Sequence, residues 1–212
     1  MIIHLFLVAA LSTTVPLIGQ ELLVTSNVSK SYCVASKVSG TGEPGLYESY
    51  LAKKNRDGSF GLLLKLSPER YDIEQKDRIY VIGERIVVSM KLSSGPIFSE
   101  FITIRNHKAT VELNGDSYRG ANYPTVIGKY IVGIVRKDSG DGINFDNAMY
   151  FYGKGGFKIA RLPDMSASYY LDKVSSNALA ITRVDAMTGK QYRTICKFPI
   201  FEKNDNWLIG KK

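Results

Sequence analysis

Histidine is almost missing from this chain of 212 residues, which holds only His4 and His107. That scarcity leaves Ser-His-Asp or Cys-His chemistry a single candidate base, His107. It lies between Asn106 and Lys108, where a solvated turn residue is the expected outcome. Cysteine is equally scarce, with Cys33 and Cys196 the whole supply. No Cys, His or carboxylate spacing resembles a zinc site. Long apolar runs are absent after the first residues, and spanning a bilayer needs about 20 apolar residues. Low-complexity tracts and internal repeats are also lacking. What remains is an ordinary globular composition, 44% hydrophobic, with 13 Tyr, 9 Phe and 19 Gly, which leans towards strands and tight turns.

The one apolar run is N-terminal. Ile2 to Leu11 carry no formal charge, Ser12, Thr13, Thr14 and Pro16 follow, and Glu21 is the first charged residue. This is the length of a signal-peptide apolar region with its polar flank. Residues 1–19 are therefore expected to be a cleavable signal, and 20–212 a single β-rich exported domain, secreted or periplasmic. No Lys or Arg precedes the apolar run, and the cut is ambiguous between Ala10-Leu11-Ser12 and Gly19. An uncleaved anchor is the competing reading, weakened by Pro16 and the three hydroxyl residues.

In an exported chain an even cysteine count permits a bridge. Joining Cys33 to Cys196 would tie the first strand to the last, worth about 3–5 kcal/mol by loop-closure arguments. The net charge is +8, and residues 1–20 contribute nothing to it. A basic exported protein can bind a protein or an anionic surface. The cations are scattered, however. The short clusters Lys53-Lys54-Arg56 and Lys211-Lys212 have turn or terminal neighbours and read more readily as solvated charge.

The pattern along the chain predicts a mainly β fold, an antiparallel β-sandwich or irregular barrel. A first strand is expected around Cys33. Leu46–Lys54 and Ser59–Leu66 flank Arg56-Asp57-Gly58, a hairpin signal because Gly tolerates positive φ. Phe60, Leu62, Leu64 and Leu66 should share a face. In Arg85–Leu92, Ile86, Val88, Met90 and Leu92 should point inward and Arg85, Ser89 and Lys91 to water, with Val87 the exception. Ile97–Arg105 and Ala109–Leu113 follow, the latter ending at a second hairpin signal, Asn114-Gly115. Thr125–Arg136 reads as one central strand, and Asp138–Asn147 as a polar loop. Gly153-Lys154-Gly155-Gly156 reads as a hairpin turn rather than a phosphate loop, since a strand follows it. Ala178–Asp185 and Gln191–Phe201 form a last hairpin, with Cys196 facing inward. One short helix is expected over residues 165–175, where Ala167, Tyr170, Leu171 and Val174 keep helical spacing and Asp164 can cap.

Candidate sites are few. Asp138, Asp141, Asn144 and Asp146 supply oxygen ligands on one loop, as Ca²⁺ requires, but their order does not fit an EF-hand. Tyr150, Tyr152, Tyr169 and Tyr170, with Lys53, Lys54 and Arg56, form a candidate binding surface of the aromatic and basic kind. The same tyrosines are also ordinary strand formers. Asn27-Val28-Ser29 is a glycosylation sequon, meaningful only in a eukaryote. Glu69, Asp72 and Glu74 are carboxylates with nothing to aim them at a cleft. No cofactor is implied, nucleic acid is not favoured, and no catalytic residue emerges. The leading expectation is an exported non-enzymatic protein that binds a macromolecular partner at an envelope, host or extracellular surface. The alternatives are a barrel-type carrier of a small apolar ligand and a carboxylate-dependent hydrolase acting on polysaccharide. The carrier lacks a lipocalin-like Gly-x-Trp near its first strand, the single Trp being Trp207.

Overall fold

Side chains on extended backbone alternate between two faces, so each strand is defined by what its two faces meet. The computed structural model describes residues 14–17, 20–24, 31–40, 44–71, 77–91, 97–113, 119–120, 123–138, 145–162 and 167–197. They are mainly β, with every strand pairing antiparallel and no helix among them.

The first sheet runs in chain order through β1 (Thr14–Leu17), β2 (Gln20–Val24), β3 (Tyr32–Val38), β4 (Leu46–Lys54) and β5 (Phe60–Tyr71). The central sheet comprises β6 (Arg78–Ile82), β7 (Arg85–Lys91), β8 (Ile97–Arg105), β9 (Lys108–Leu113), β10 (Arg119–Gly120), β11 (Thr125–Ile127), β12 (Tyr130–Asp138), β13 (Phe145–Gly153) and β14 (Gly156–Arg161). Its order is β14-β13-β12-β10-β8-β7-β6, with β9 beside β8 and β11 beside β12. The third sheet is β15 (Ser168–Ser175), β16 (Ala178–Val184) and β17 (Gln191–Lys197), in that order.

Three clusters show how the sheets stack. Ile86, Val88 and Met90 of β7 and Ile102 of β8 meet Val34, Leu51 and Leu66 of the first sheet. Val132 of β12, with Met149 and Phe151 of β13, meets Tyr169, Leu179 and Ile181 of the third sheet. The remaining face of the central sheet closes on itself: Val87, Phe101, Ile131, Val135, Tyr150 and Tyr152 form one cluster. The sheet is thus curled, though not closed into a barrel. At its centre Phe101 meets Tyr150, Tyr152 and Phe157 edge-on, with ring centroids 4.8, 5.4 and 4.8 Å away, the geometry that aromatic quadrupoles favour. Gly133 stands opposite Tyr150 across β12 and β13. A Cβ there would lie 2.4 Å from the Tyr150 hydroxyl oxygen, so only glycine lets this ring lie flat over its neighbour.

Turn chemistry explains several chain reversals. Gly58 reverses β4 into β5 at φ +87. Asn106 and His107 both adopt positive φ, 47 and 64, the two-residue turn whose twist matches a hairpin. Gly153 pairs with Gly156 as expected of a hairpin rather than a phosphate loop. Asn114-Gly115 lies outside the described residues.

Several expectations need correction. Residues 168–175 of the expected 165–175 helix are β15. Ala167, Tyr169 and Leu171 pack inward while Tyr170 points out, a period of two stabilised by pairing with β16. Thr125–Arg136 is a hairpin and not one strand, because Gly128 turns at φ +53 between β11 and β12. Asp138 and Asp146 of the expected loop belong to strands β12 and β13, and residues 139–144 lie outside the described residues. Phe60, Leu62, Leu64 and Leu66 do not share a face: a register slip opposite Leu51 and Ala52 turns Leu63 inward with Leu64 and leaves Leu62 exposed. The supposedly wet side chains Arg85 and Ser89 are buried inside the curl.

Replacing Gly133 with Ala should lower stability by about 1–3 kcal/mol through overpacking against Tyr150. Gly155→Ala, with open space around its Cβ, should stay within about 0.5 kcal/mol. Urea unfolding of both variants checks this, and equal effects would show that the Tyr150 ring yields.

Candidate interaction surface

The curl of the central sheet gathers polar groups at one end of its interior. Arg85 of β7 donates from Nη1 to Thr103 Oγ1 at 2.5 Å and to the Glu112 carboxylate. The Thr103 hydroxyl donates to the same carboxylate at 2.5 Å, and Tyr152 Oη lies 3.2 Å from Thr103. The Arg85 guanidinium also sits over the Tyr152 ring at 5.3 Å, a cation–π contact. Burial pushes the Glu112 carboxyl up, but hydrogen bonds from Thr103 and Arg85 outweigh it and hold the group below its ordinary value. The cation and anion therefore satisfy one another, and the cluster locks β9 onto β7, β8 and β13.

A second charged group lies on the outer face of the first sheet. Lys65 Nζ stands 2.8 Å from both Glu48 and Glu69, Lys37 lies 3.2 Å from Glu48, and the Tyr50 hydroxyl donates to Glu48 at 2.7 Å. Lys65 first, then Tyr50, holds the Glu48 carboxyl at about 2. Of the carboxylates Glu69, Asp72 and Glu74 that the hydrolase reading names, Glu69 joins this group, and a general acid there would need a raised pKa. Glu48 is shifted the opposite way, as a cross-strand ion ladder requires. A third polar tie is internal: Glu100 of β8, buried, accepts from the Ser67 N–H of β5 at 2.5 Å and links the first and central sheets.

The third sheet is different. Its inner face carries Tyr169, Leu171, Leu179, Ile181 and Cys196 against the central sheet. Register sets Tyr170, Thr182 and Arg193 in one row of the opposite face, and Asp172, Ala180 and Ile195 in the next. Ile195 is 57% exposed and Tyr170 41%. At the far end Tyr192, 43% exposed, lies under the Arg183 guanidinium at 4.7 Å and Lys190 at 5.3 Å. Val174 and Met187 are exposed as well. Residues 168–197 contain five cations, Lys173, Arg183, Lys190, Arg193 and Lys197, and two anions, Asp172 and Asp185. Asp185 accepts from Met187 N, Thr188 N and Thr188 Oγ1 within the β16–β17 turn, so Asp172 is the other acidic side chain on this sheet.

The expected sites are dispersed. Tyr150, Tyr152 and Tyr169 are core residues, because their strands present them to the curl and to the third sheet. Tyr170 alone of the four faces outward. Lys53 is half-buried at the end of β4, and Lys54 and Arg56 are exposed near its turn, on a different sheet from Tyr170. The expected disulfide is not formed. Cys33 and Cys196 are free thiols, Cys33 packed with Ala35 and Ala52 and Cys196 against the core shared by the central and third sheets. Burial pushes the Cys33 thiol up to about 11 and raises Cys196 too. Asp141, Asn144, Asp72, Glu74 and Asn27 lie outside the described residues, and among the described residues no cluster of His, Cys, Asp and Glu is placed to hold a metal ion. No helix among them is long and apolar enough to cross a membrane. The exposed patch on β17 was missed although its signal was present. In Gln191–Lys197 the positions opposite Tyr192 and Cys196 are Arg193, Ile195 and Lys197, which puts an apolar side chain between two cations on the outer face.

No family model matches this chain, and no curated protein matches it.

Two measurements follow. Because the folded pKa of Glu48 is depressed from 4.5 to about 2, the unfolded chain takes up the proton first, and stability should fall as pH drops from about 4.5 towards 2. Glu48→Gln should flatten that limb in urea titrations, and an unchanged slope would remove the ladder as its cause. Alkylation after denaturation without reductant should add two labels by intact mass, whereas a bridged pair would add none.

Proposed function

We propose that this chain is an exported, non-enzymatic β-protein that docks a partner protein on the outer face and free end of the β15–β17 sheet. The observation that carries the reading is the exposed set Tyr170, Val174, Tyr192 and Ile195 among Arg183, Lys190, Arg193 and Lys197. Aromatic and Arg side chains are what interfaces enrich, because each buries a large area with few rotors and a polar tip. Many other Tyr and Phe side chains are spent on the core, as with Phe101, Tyr150, Phe151 and Tyr152, although Tyr71 of the first sheet is exposed as well. The uncharged run Ile2–Leu11 supports export. The filled interior of the curl favours docking on the outside over a ligand held within.

Photo-cross-linking side chains placed at Tyr170 and Tyr192 test this in the organism that makes the protein, with exposed Tyr71 of the first sheet as control. A discrete protein adduct is expected at Tyr170 and Tyr192 and not at Tyr71. Adducts at none of the three, or equally at all three, would overturn it.

A further inference from the structure

From the register of the third sheet we infer that β17 is an acceptor edge: an extended segment of the partner, carrying acidic side chains, adds to the sheet as its next strand. The inference rests on the docking reading above and specifies how the partner is held. Among the described residues β17 is the outermost strand of its sheet. At the β16–β17 turn the Asp185 N–H donates to Lys190 O at 3.0 Å, and antiparallel ladders alternate bonded and unbonded pairs. Bonded pairs are then Arg183–Tyr192, Ile181–Thr194 and Leu179–Cys196. Gln191, Arg193, Ile195 and Lys197 turn their N–H and C=O away from β16. The same residues carry side chains on the outer face, and Gln191 through Ile195 are all exposed.

Charge selects the occupant. β17 carries Arg193 and Lys197 and no acid. A second copy laid antiparallel on this edge would set cations opposite one another in the registers centred on Arg193 or Ile195, which destabilises cross-strand pairs, and in any register would bring no acid to them. Cations on an edge strand guard against indiscriminate pairing. A segment alternating acidic and apolar residues instead places carboxylates beside Arg193 and Lys197 and an apolar side chain against Ile195 and Tyr170, which combines main-chain affinity with side-chain specificity.

The test uses the full chain and capped peptides of about eight residues: alternating Glu and Val, the same with Lys for Glu, and the Glu–Val composition built from alternating L- and D-residues. Anisotropy should show saturable binding of the first, at least about tenfold weaker binding of the second, and none of the third. Hydrogen exchange should slow at the Arg193 and Ile195 amides while Thr194 is unchanged. Arg193→Glu should weaken binding by about tenfold or more. Ile195→Pro, which removes an outward donor without removing a bond to β16, should abolish it. If Ile195→Pro does not fold, Arg193→Glu decides. Equal binding of the Glu and Lys peptides, binding of the L,D peptide, or no change in Arg193 and Ile195 exchange would overturn the proposal. Adducts at Tyr170 with no peptide pairing would remove strand addition and leave docking standing. Absence of both would remove the docking reading as well.

Discussion

The structure depends on burying both faces of one large sheet. β8, β12 and β13 carry large apolar side chains on each side, so a flat sheet covered on one side would leave Phe101, Tyr150 and Tyr152 in water. Curling closes that side on itself, and the first and third sheets then cover the outside, at β7–β8 and at β12–β13 respectively. The curl needs a close approach at its centre, and Gly133 under the Tyr150 ring supplies it. Buried rings at contact distance contribute both apolar area and quadrupole geometry. Deep burial raises the Tyr150 hydroxyl pKa strongly, so it stays neutral in the folded chain.

Several polar groups inside this arrangement are matched to partners, which is the condition for burying them without a large penalty. Arg85 has Glu112, Thr103 and Tyr152. Ser89 and Ser99 share a hydrogen bond of 2.9 Å across β7 and β8, as do Ser36 and Ser49 across β3 and β4. Glu100 reaches the backbone of β5. The ladder of Lys37, Glu48, Lys65 and Glu69 is similarly self-contained. The third sheet differs in keeping cations and apolar groups together at its surface with little acid beside them.

Much of the architecture was legible in residue pattern. The mainly β, antiparallel character, the hairpins at Gly58, Gly153–Gly156 and Gly189, and the inward set Ile86, Val88 and Met90 all follow from periods of two and turn chemistry, which are local. The third sheet was half legible. Its β16–β17 hairpin is legible in the sequence, but the β15 segment reads as a helix because Ala167, Tyr170, Leu171 and Val174 fit a helical period as well as Tyr169 and Leu171 fit an extended one. Over so short a segment both periods have enough matches, and pairing with β16 decides between them. The candidate surface suffered for this reason: Tyr150, Tyr152 and Tyr169 look no different in sequence from Tyr170, and only the stacking of sheets sorts core from surface.

By itself the sequence determined the strand-forming chain, its reversals and its basic balance, because backbone preference and side-chain alternation act over a few residues. Only the tertiary structure decided that the central sheet curls, that Arg85 and Ser89 are inside it, that Cys33 and Cys196 sit in separate clusters unbonded, and that Tyr170 is left outside while Tyr150, Tyr152 and Tyr169 are buried. Those outcomes turn on which faces meet across long chain separations, and no local pattern carries that information.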